Sequence, residues 1–198
     1  MNNERGFTLL ELTAVLVIIG LVAAFMPLFL DSVIAERALE KEVAHLGDTI
    51  ELLLRQSVLD GVSHAIHYDT EKERWAMQLP VEHVYEDPAG DDGEGEEVRA
   101  LLLEPGEPDD LDWHDLPDGI DLRLYEGRDR IADGRYRVEL SPRGTVDPHA
   151  LVLISDDIRS LDDDERARTI KVNFSGIISY LPGIRTEEFK KTEVELGR

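Results

Sequence analysis

Six histidines are the residues of this sequence that could bind a transition metal or exchange protons near neutral pH. The chain has no cysteine, which excludes thiolate nucleophiles, disulfides and cysteine-ligated zinc. His64 and His67 lie three residues apart in an alternating segment, and side chains at that spacing on a strand point to opposite faces. The sequence contains no G-x-S-x-G turn and no phosphate-binding glycine loop. We therefore predict no catalytic residue, no metal ligand and no cofactor, and we expect that the protein is not an enzyme. The histidines are His45, His64, His67, His83, His114 and His149.

Two runs of acidic residues, 91–94 and 156–165, could bind a hard cation such as Ca²⁺, which prefers several oxygen ligands. Neither run has the D-x-[DN]-x-[DN]-G spacing of a calcium-binding loop. The spacing favours solvated surface charge, and calcium binding is the alternative that it leaves open.

Glu11 is the single acidic residue inside the apolar run of residues 7–30. A carboxylate within a membrane span costs about 3 kcal/mol on insertion scales, so it normally has a partner. Either Glu11 pairs with a cation from elsewhere, or it lies near the interface and reaches water. Hydropathy leaves both readings open.

The apolar run is long enough to cross a bilayer. As a helix, residues 7–30 would extend about 36 Å, against about 30 Å for the hydrocarbon core. A secretory signal peptide has a shorter apolar region that ends at a small-residue cleavage site, and residues 22–25 match that site poorly. We therefore predict that residues 7–30 form a retained transmembrane helix.

The motif Gly6-Phe7-Thr8-Leu9-Leu10-Glu11, followed by the apolar run, resembles the processing site of type IV prepilins and pseudopilins. The resemblance implies a leader peptide of residues 1–6, cleavage between Gly6 and Phe7, and N-methylation of Phe7. It also implies that Glu11 takes part in subunit assembly by pairing with the new ammonium of a neighbouring subunit. Each charge then makes the other tolerable in an apolar filament core.

The same resemblance implies the partners and the location of the chain. The partners would be other pseudopilins or pilins, the prepilin peptidase, an inner-membrane secretion platform and the membrane lipid. The protein would be a single-pass protein of the bacterial inner membrane, with its N-terminus in the cytoplasm and its head in the periplasm.

Beyond Pro27, which tends to kink a helix, apolar residues recur at steps of three and four. This spacing is typical of an amphipathic helix, and we predict a stalk helix over residues 31–60 that Gly61 terminates. Its apolar positions are Leu39, Val43, Leu46, Ile50, Leu53, Leu54 and Val58.

After Gly61 the apolar residues alternate, which is typical of strands. The predicted fold class is α+β: a long N-terminal helix packed on an antiparallel β-sheet head of residues 61–184. The predicted strands are 62–68 and 75–79, which form a hairpin, and 98–103, 120–125, 136–140, 151–154, 169–174 and 177–181. Segments 116–122, 138–144 and 170–178 are similar to strands of the H-type minor pseudopilins of type II secretion (the GspH/FimT group).

The charge of the chain is unevenly distributed. The formal net charge is −22, and residues 82–118 contain 15 acidic residues and one basic residue. A field of this sign repels nucleic acid, which we exclude as a partner. We predict that residues 82–118 are an acidic insertion in the head and that residues 185–198 are a charged C-terminal tail.

The function predicted from these features is that of a minor pseudopilin, a structural and assembly subunit of a type II secretion pseudopilus. A minor pilin of a type IV pilus or competence system shares the same anchor and head, so it is the first alternative. A single-pass membrane-anchored binding domain is the second, and the combination of Gly6 with Glu11 argues against it.

Processing is the first testable prediction. We expect the mature chain to begin at methylated Phe7, because the motif places the cut after Gly6 and no convincing signal-peptidase site follows. Intact-mass analysis of the membrane fraction would measure this directly. A chain that begins near Ala24, or one that retains Met1, would contradict it.

Overall fold

A long helix, α1 (Leu9–Asp60), opens the structure. The computed structural model describes residues 9–87, 96–106, 110–158 and 162–186, and within these ranges it describes only the backbone of 24–32, 84–87 and 96–99. The backbone stays helical through Pro27. The helix ends at the predicted place, because Gly61 adopts a φ of 69°, a left-handed conformation that closes a helix and that glycine adopts without strain.

One face of the second half of α1 is buried against the head. Leu39, Leu46 and Ile50 are fully buried, and their spacing places them on one side of the helix. The prediction that Val58 belongs to this face is wrong, since its side chain is 49% exposed. In the last turn Ser57 faces the head instead, and its hydroxyl donates a hydrogen bond to the carbonyl of Ser141 over 3.1 Å.

The described strands form three antiparallel sheets. The first sheet has the order β5-β2-β1-β8, the second β11-β10-β9-β6-β7, and the third is the hairpin β3-β4. The strands are β1 (His64–Asp69), β2 (Arg74–Gln78), β3 (Val81–Asp87), β4 (Glu96–Leu102), β5 (Trp113–Asp115), β6 (Ile120–Glu126), β7 (Asp129–Arg130), β8 (Arg135–Leu140), β9 (His149–Ser155), β10 (Ala167–Val172) and β11 (Ile178–Pro182).

The core lies where α1 meets both larger sheets. Tyr68 and Trp75 enter it from the four-stranded sheet, while Leu151 and Ile170 enter it from the five-stranded sheet. Strand β9 is buried along its whole length, so its other face also packs, with Val152 in a second small apolar cluster. The head is therefore organised around the helix and both sheets together.

The predicted fold class is confirmed: an N-terminal helix packs on antiparallel β-structure. The predicted strands correspond to β1, β2, β4, β6 and β8 to β11, with ends shifted by one or two residues. Strands β3, β5 and β7 were not predicted. Strand β5 has only three residues, too few to show an alternating pattern, and β3 follows β2 after only two residues.

The acidic segment of residues 82–118 contributes to the head. Its Trp113–Asp115 portion is the edge strand β5, and Leu116 is buried in the core. The carbonyl of Glu104 accepts hydrogen bonds from the Gln78 and Arg137 side chains, each over 3.3 Å. The centre of the segment, residues 88–95, lies outside the described residues.

Asp69, at the end of β1, joins three strands of the four-stranded sheet. Its buried carboxylate accepts hydrogen bonds from Arg74 Nη2 on β2 over 3.1 Å and from Arg135 Nε on β8 over 3.3 Å. The backbone amide of Lys72 donates to the other carboxylate oxygen over 3.0 Å. Burial alone would raise the pKa of Asp69, but these donors outweigh it and hold the pKa below its ordinary value of 3.8.

We expect Asp69→Asn to lower the free energy of unfolding by about 2–3 kcal/mol at neutral pH, because two arginines lose a buried charged partner. The folded state depresses the pKa, so the Asp69 contribution is fully present above the unfolded pKa and is lost as the pH falls through the folded pKa. The stability difference between wild type and variant, measured by denaturant unfolding, should therefore shrink on acidification below about pH 4.

The matched control is Glu51→Gln, which breaks the exposed pair with Arg55 on α1 and should cost less than about 0.5 kcal/mol. Equal costs for the two variants, or a cost of Asp69→Asn that does not change with pH, would contradict the assignment.

Candidate functional site

The first turns of α1 carry an apolar surface with one carboxylate in it. Ten large apolar side chains between Leu9 and Val22 are 48–82% exposed, and they occur on every side of the helix. Glu11 is exposed among them. A helix that is apolar all round needs lipid or other helices to cover it. Residues 9–23 are therefore a contact surface for an apolar environment, with Glu11 near its beginning.

Part of the predicted processing site precedes the first residue that the structure describes, Leu9. Gly6 and Phe7, the predicted cleavage and methylation positions, lie outside the described residues, as does the rest of the predicted leader. Within the described part of the chain, no helix is both long and apolar enough to cross a membrane. The predicted span of residues 7–30 includes residues 7–8 and the side chains of 24–30, which are not described.

Polar contacts attach α1 to both larger sheets. Arg168 on β10 donates to Glu36 over 3.1 Å and also lies 3.9 Å from Glu40, so it connects the helix to the five-stranded sheet. His114 on β5 contacts Glu42 at 3.0 Å and connects the same stretch of helix to the four-stranded sheet. The two contacts face different sheets within two turns of α1.

Gly47 allows a close approach between α1 and strand β11 of the five-stranded sheet. The ring of Tyr180 on β11 covers it, and a β-carbon at position 47 would lie 2.7 Å from Tyr180 Cζ, far inside contact distance. Burial raises the pKa of Tyr180, and the carboxylates of Asp48 and Glu51 raise it further. The phenol is therefore neutral where it packs on the helix.

A cluster of one carboxylate and two imidazoles, Glu42, His45 and His114, lies where α1 passes β5. Their potential ligand atoms all lie within 4.8 Å of one another. The His45 and His114 ring centroids are 4.8 Å apart, and the indole of Trp75 packs against them at 5.2 Å and 4.9 Å. The Glu42 side chain is only 7% exposed, whereas the His114 side chain is 36% exposed and His45 is exposed. We call these three residues the Glu42 cluster.

The sequence did not reveal the Glu42 cluster, because His114 is 72 residues from Glu42 along the chain. The only local signal is the spacing of Glu42 and His45, which puts both side chains on one face of a helix. The prediction of no metal ligands compared residues that are close in sequence, and β5 was not among the predicted strands.

Three histidines are buried in the head: His64, His67 and His149. His67 Nε2 lies 2.9 Å from the Gln78 amide oxygen, and the His149 Nδ1 lies 2.7 Å from the Asp147 carbonyl. Burial lowers the pKa of His149, although the backbone of Asp147 opposes the shift. Burial also lowers the pKa of His64, with Asp60 at 3.2 Å opposing it. Burial therefore favours the neutral form of the His64 and His149 imidazoles.

Arginines neutralise much of the acidic run at residues 156–165. Arg166 pairs with Asp156 over 3.2 Å and also with Asp163, while Arg185 pairs with Asp164 over 2.9 Å. The Ile184 amide donates to Asp164 over 2.7 Å, and these donors lower the pKa of the Asp164 carboxyl. Calcium binding gains no support from this arrangement. Arg185, the first residue of the predicted tail, is thus attached to the head, and residues 187–198 lie outside the described residues.

Comparison with known proteins gives matches at two levels. The family described as "Prokaryotic N-terminal methylation motif" matches residues 1–27. Over most of the chain, type II secretion system protein H of Aeromonas hydrophila is 24% identical across 188 residues, which is 94% of this chain and 98% of that protein. Type II secretion system protein H of Pseudomonas aeruginosa is 25% identical across 169 residues, which is 80% of each chain.

Two solved structures of the minor pseudopilin EpsH from the type II secretion system of Vibrio cholerae are also similar. Both are 12% identical to this chain, with TM-scores of 0.45 and 0.47. They cover 73% and 76% of this chain and 96% and 98% of their own.

The contact between Gly47 and Tyr180 yields a stability prediction. Leucine is nearly as good a helix former as alanine, so Gly47→Leu should stabilise an isolated helix by almost 1 kcal/mol. Here we expect it to lower the free energy of unfolding by about 1–3 kcal/mol, because the new side chain displaces the Tyr180 ring. Thermal and denaturant unfolding would measure the change.

The same substitution in a Tyr180→Ala background is the control. Without the ring, Gly47→Leu should cost much less or become stabilising, so that the double-mutant cycle shows a coupling of more than about 1 kcal/mol. Additive effects would show that Tyr180 does not set the helix-to-sheet distance.

Proposed function

We propose that this chain is a member of the type IV prepilin and pseudopilin family and serves as an H-type minor pseudopilin of a type II secretion system. The observation that carries the proposal is the alignment with two H proteins over most of their length, together with the methylation motif of residues 1–27. The first relative is matched over 98% of its sequence and 94% of this chain, so the similarity is not confined to the N-terminal motif.

The role is structural, and it divides between the two halves of α1. Residues 9–23 present apolar side chains in every direction, which suits a helix surrounded by lipid before assembly and by other subunits' helices afterwards. Residues 35–57 bury one face against the head. The chain thus functions as a head carried on an assembly helix, and its partners are other pseudopilins. This role requires no catalytic group.

Assembly depends on a charge pair. Prepilin peptidase cleaves between Gly6 and Phe7 and methylates Phe7, which leaves an ammonium group at the start of an apolar helix. Glu11 of one subunit pairs with the ammonium of another, because each buried charge is costly without the other. A misplaced subunit leaves both groups unpaired, so the pair sets the axial position of neighbouring helices.

The topology follows from the processing reaction. The leader and the N-terminus lie in the cytoplasm, α1 crosses the inner membrane, and the head lies in the periplasm beside the secretion platform. The acidity of the head, within a chain of net charge −22, keeps it away from anionic lipid headgroups.

We expect Glu11→Gln and Glu11→Leu to insert into the membrane and to be processed normally but to fail in filament incorporation. Removing the carboxylate lowers the insertion cost while it leaves the neighbouring ammonium unpaired. Membrane fractionation and intact mass report insertion and processing. Cross-linking to co-expressed pseudopilins and secretion of a type II substrate report assembly.

Glu51→Gln, an exposed acidic position on the head half of the same helix, is the control and should assemble normally. Wild-type cross-linking and secretion by both Glu11 variants would show that the pair has no role. If the wild-type chain is incorporated into pili and the Glu11 variants leave secretion unchanged, the chain belongs instead to a pilus or competence system.

A further inference from the structure

We propose that the Glu42 cluster is a binding site for a divalent transition cation of the Zn²⁺ class. It lies between the head half of α1 and the edge strand β5, well separated along the helix from the apolar surface of residues 9–23. Zinc binding there is independent of the filament role, so either can fail without the other.

The geometry of the Glu42 cluster is close to that of a zinc site. All three potential ligand atoms lie within 4.8 Å of one another, and His114 Nε2 is already 3.0 Å from Glu42 Oε2. In a tetrahedral zinc site with bonds of about 2.0–2.1 Å, neighbouring ligand atoms are about 3.4 Å apart. Ligand atoms that lie within 4.8 Å of one another reach that spacing through shifts of at most about 1.4 Å.

The fold holds these residues in place before any ion binds. Glu42 and His45 share one face of α1. They lie beside the buried apolar face, which includes Leu46 and packs the helix on the head. His114 lies opposite Trp75 in the β2–β5 register. The Trp75 ring is buried and contacts both imidazoles, so it restricts their rotation. The site therefore needs little ordering on binding.

Because the Glu42 carboxylate is buried, a bound cation would stabilise its negative charge. A carboxylate that is 7% exposed loses most of its hydration, and such a group needs a positive or donating partner. His114 provides one hydrogen bond, and a dication would provide a stronger interaction while it also binds His45. The acidic neighbours Asp112 and Asp115 and the net charge of −22 raise the local cation concentration.

The ligand types select the metal. Two imidazoles and one carboxylate suit Zn²⁺, Ni²⁺, Co²⁺ or Cu²⁺, whereas Ca²⁺ and Mg²⁺ prefer sites made of oxygen ligands. Three protein ligands leave a fourth position for water, and the exposure of His45 and His114 opens that position to solvent. The ion is therefore exchangeable, unlike one in a closed structural site.

The competing explanation is that Glu42 and His114 only form a hydrogen bond that attaches the helix to the sheet. The two explanations differ at His45, because that hydrogen bond does not involve His45 and a metal site needs it. His45 is also exposed, so its substitution should leave the metal-free fold intact.

The experiment titrates Zn²⁺ into the purified, metal-free full chain in detergent by calorimetry, with excess Ca²⁺ present to occupy nonspecific carboxylates. We expect one saturable equivalent, and a rise in melting temperature of about 5–10 °C at a hundredfold excess over Kd. Co²⁺ in place of Zn²⁺ should give the visible absorption of a four-coordinate ion.

His45→Gln should weaken Zn²⁺ binding at least about tenfold while leaving the metal-free melting temperature unchanged. Glu42→Gln and His114→Gln should weaken it as well. His83→Gln, which alters a half-exposed histidine 3.9 Å from Glu104, is the matched control and should bind like the wild type. Binding of wild-type affinity by His45→Gln would overturn the site, as would the absence of a saturable equivalent in the wild-type chain.

Discussion

The burial of one face of α1 against two sheets is the constraint on which the rest of the head depends. Five large apolar side chains supply most of that face: Leu39, Val43, Leu46, Ile50 and Leu53, each at most 7% exposed. At about 1.5–3 kcal/mol per side chain, they contribute about 7–15 kcal/mol, which is the size of a whole domain's net stability. The surface ion pair of Glu36 with Arg168 contributes less than about 1 kcal/mol. Apolar burial therefore holds the helix, and the polar contacts only fix how it is rotated and positioned.

The parts of this fold that local periodicity encodes could be predicted from the sequence. A repeat of three and four residues marked the buried face of α1, and alternation marked the longer strands. Strand pairing is a nonlocal property, so neither the division into separate sheets nor the edge position of β5 could be read from the pattern. Val58 shows the limit within α1 itself: it continues the apolar repeat, but its side chain is 49% exposed, and the neighbouring Ser57 is the buried residue that contacts the head.

The two candidate sites also differ in whether a local sequence signal marks them. Glu11 stands out in the sequence because a charge interrupts an apolar run, and that contrast is local. The Glu42 cluster combines α1 with a three-residue strand 72 residues away, in a segment whose composition indicated solvated charge. That acidic segment also contains Trp113 and His114 of β5 and the buried Leu116, which belong to the head. Net charge describes how a segment interacts with solvent, and it does not determine whether single side chains within it are buried.

The Glu42 cluster lies near the point on α1 where the helix leaves the head. The head covers the helix from Ala35 onward, whereas Val33 and Ile34 are exposed. Any force transmitted between the assembly helix and the head therefore enters through the first turns of the covered stretch. Arg168 holds those turns from the five-stranded sheet, and His114 holds them from the four-stranded sheet. An ion bound to Glu42, His45 and His114 replaces one hydrogen bond on the second side with three coordinate bonds. It would stiffen the junction where the helix leaves the head without altering the apolar core that holds the two together.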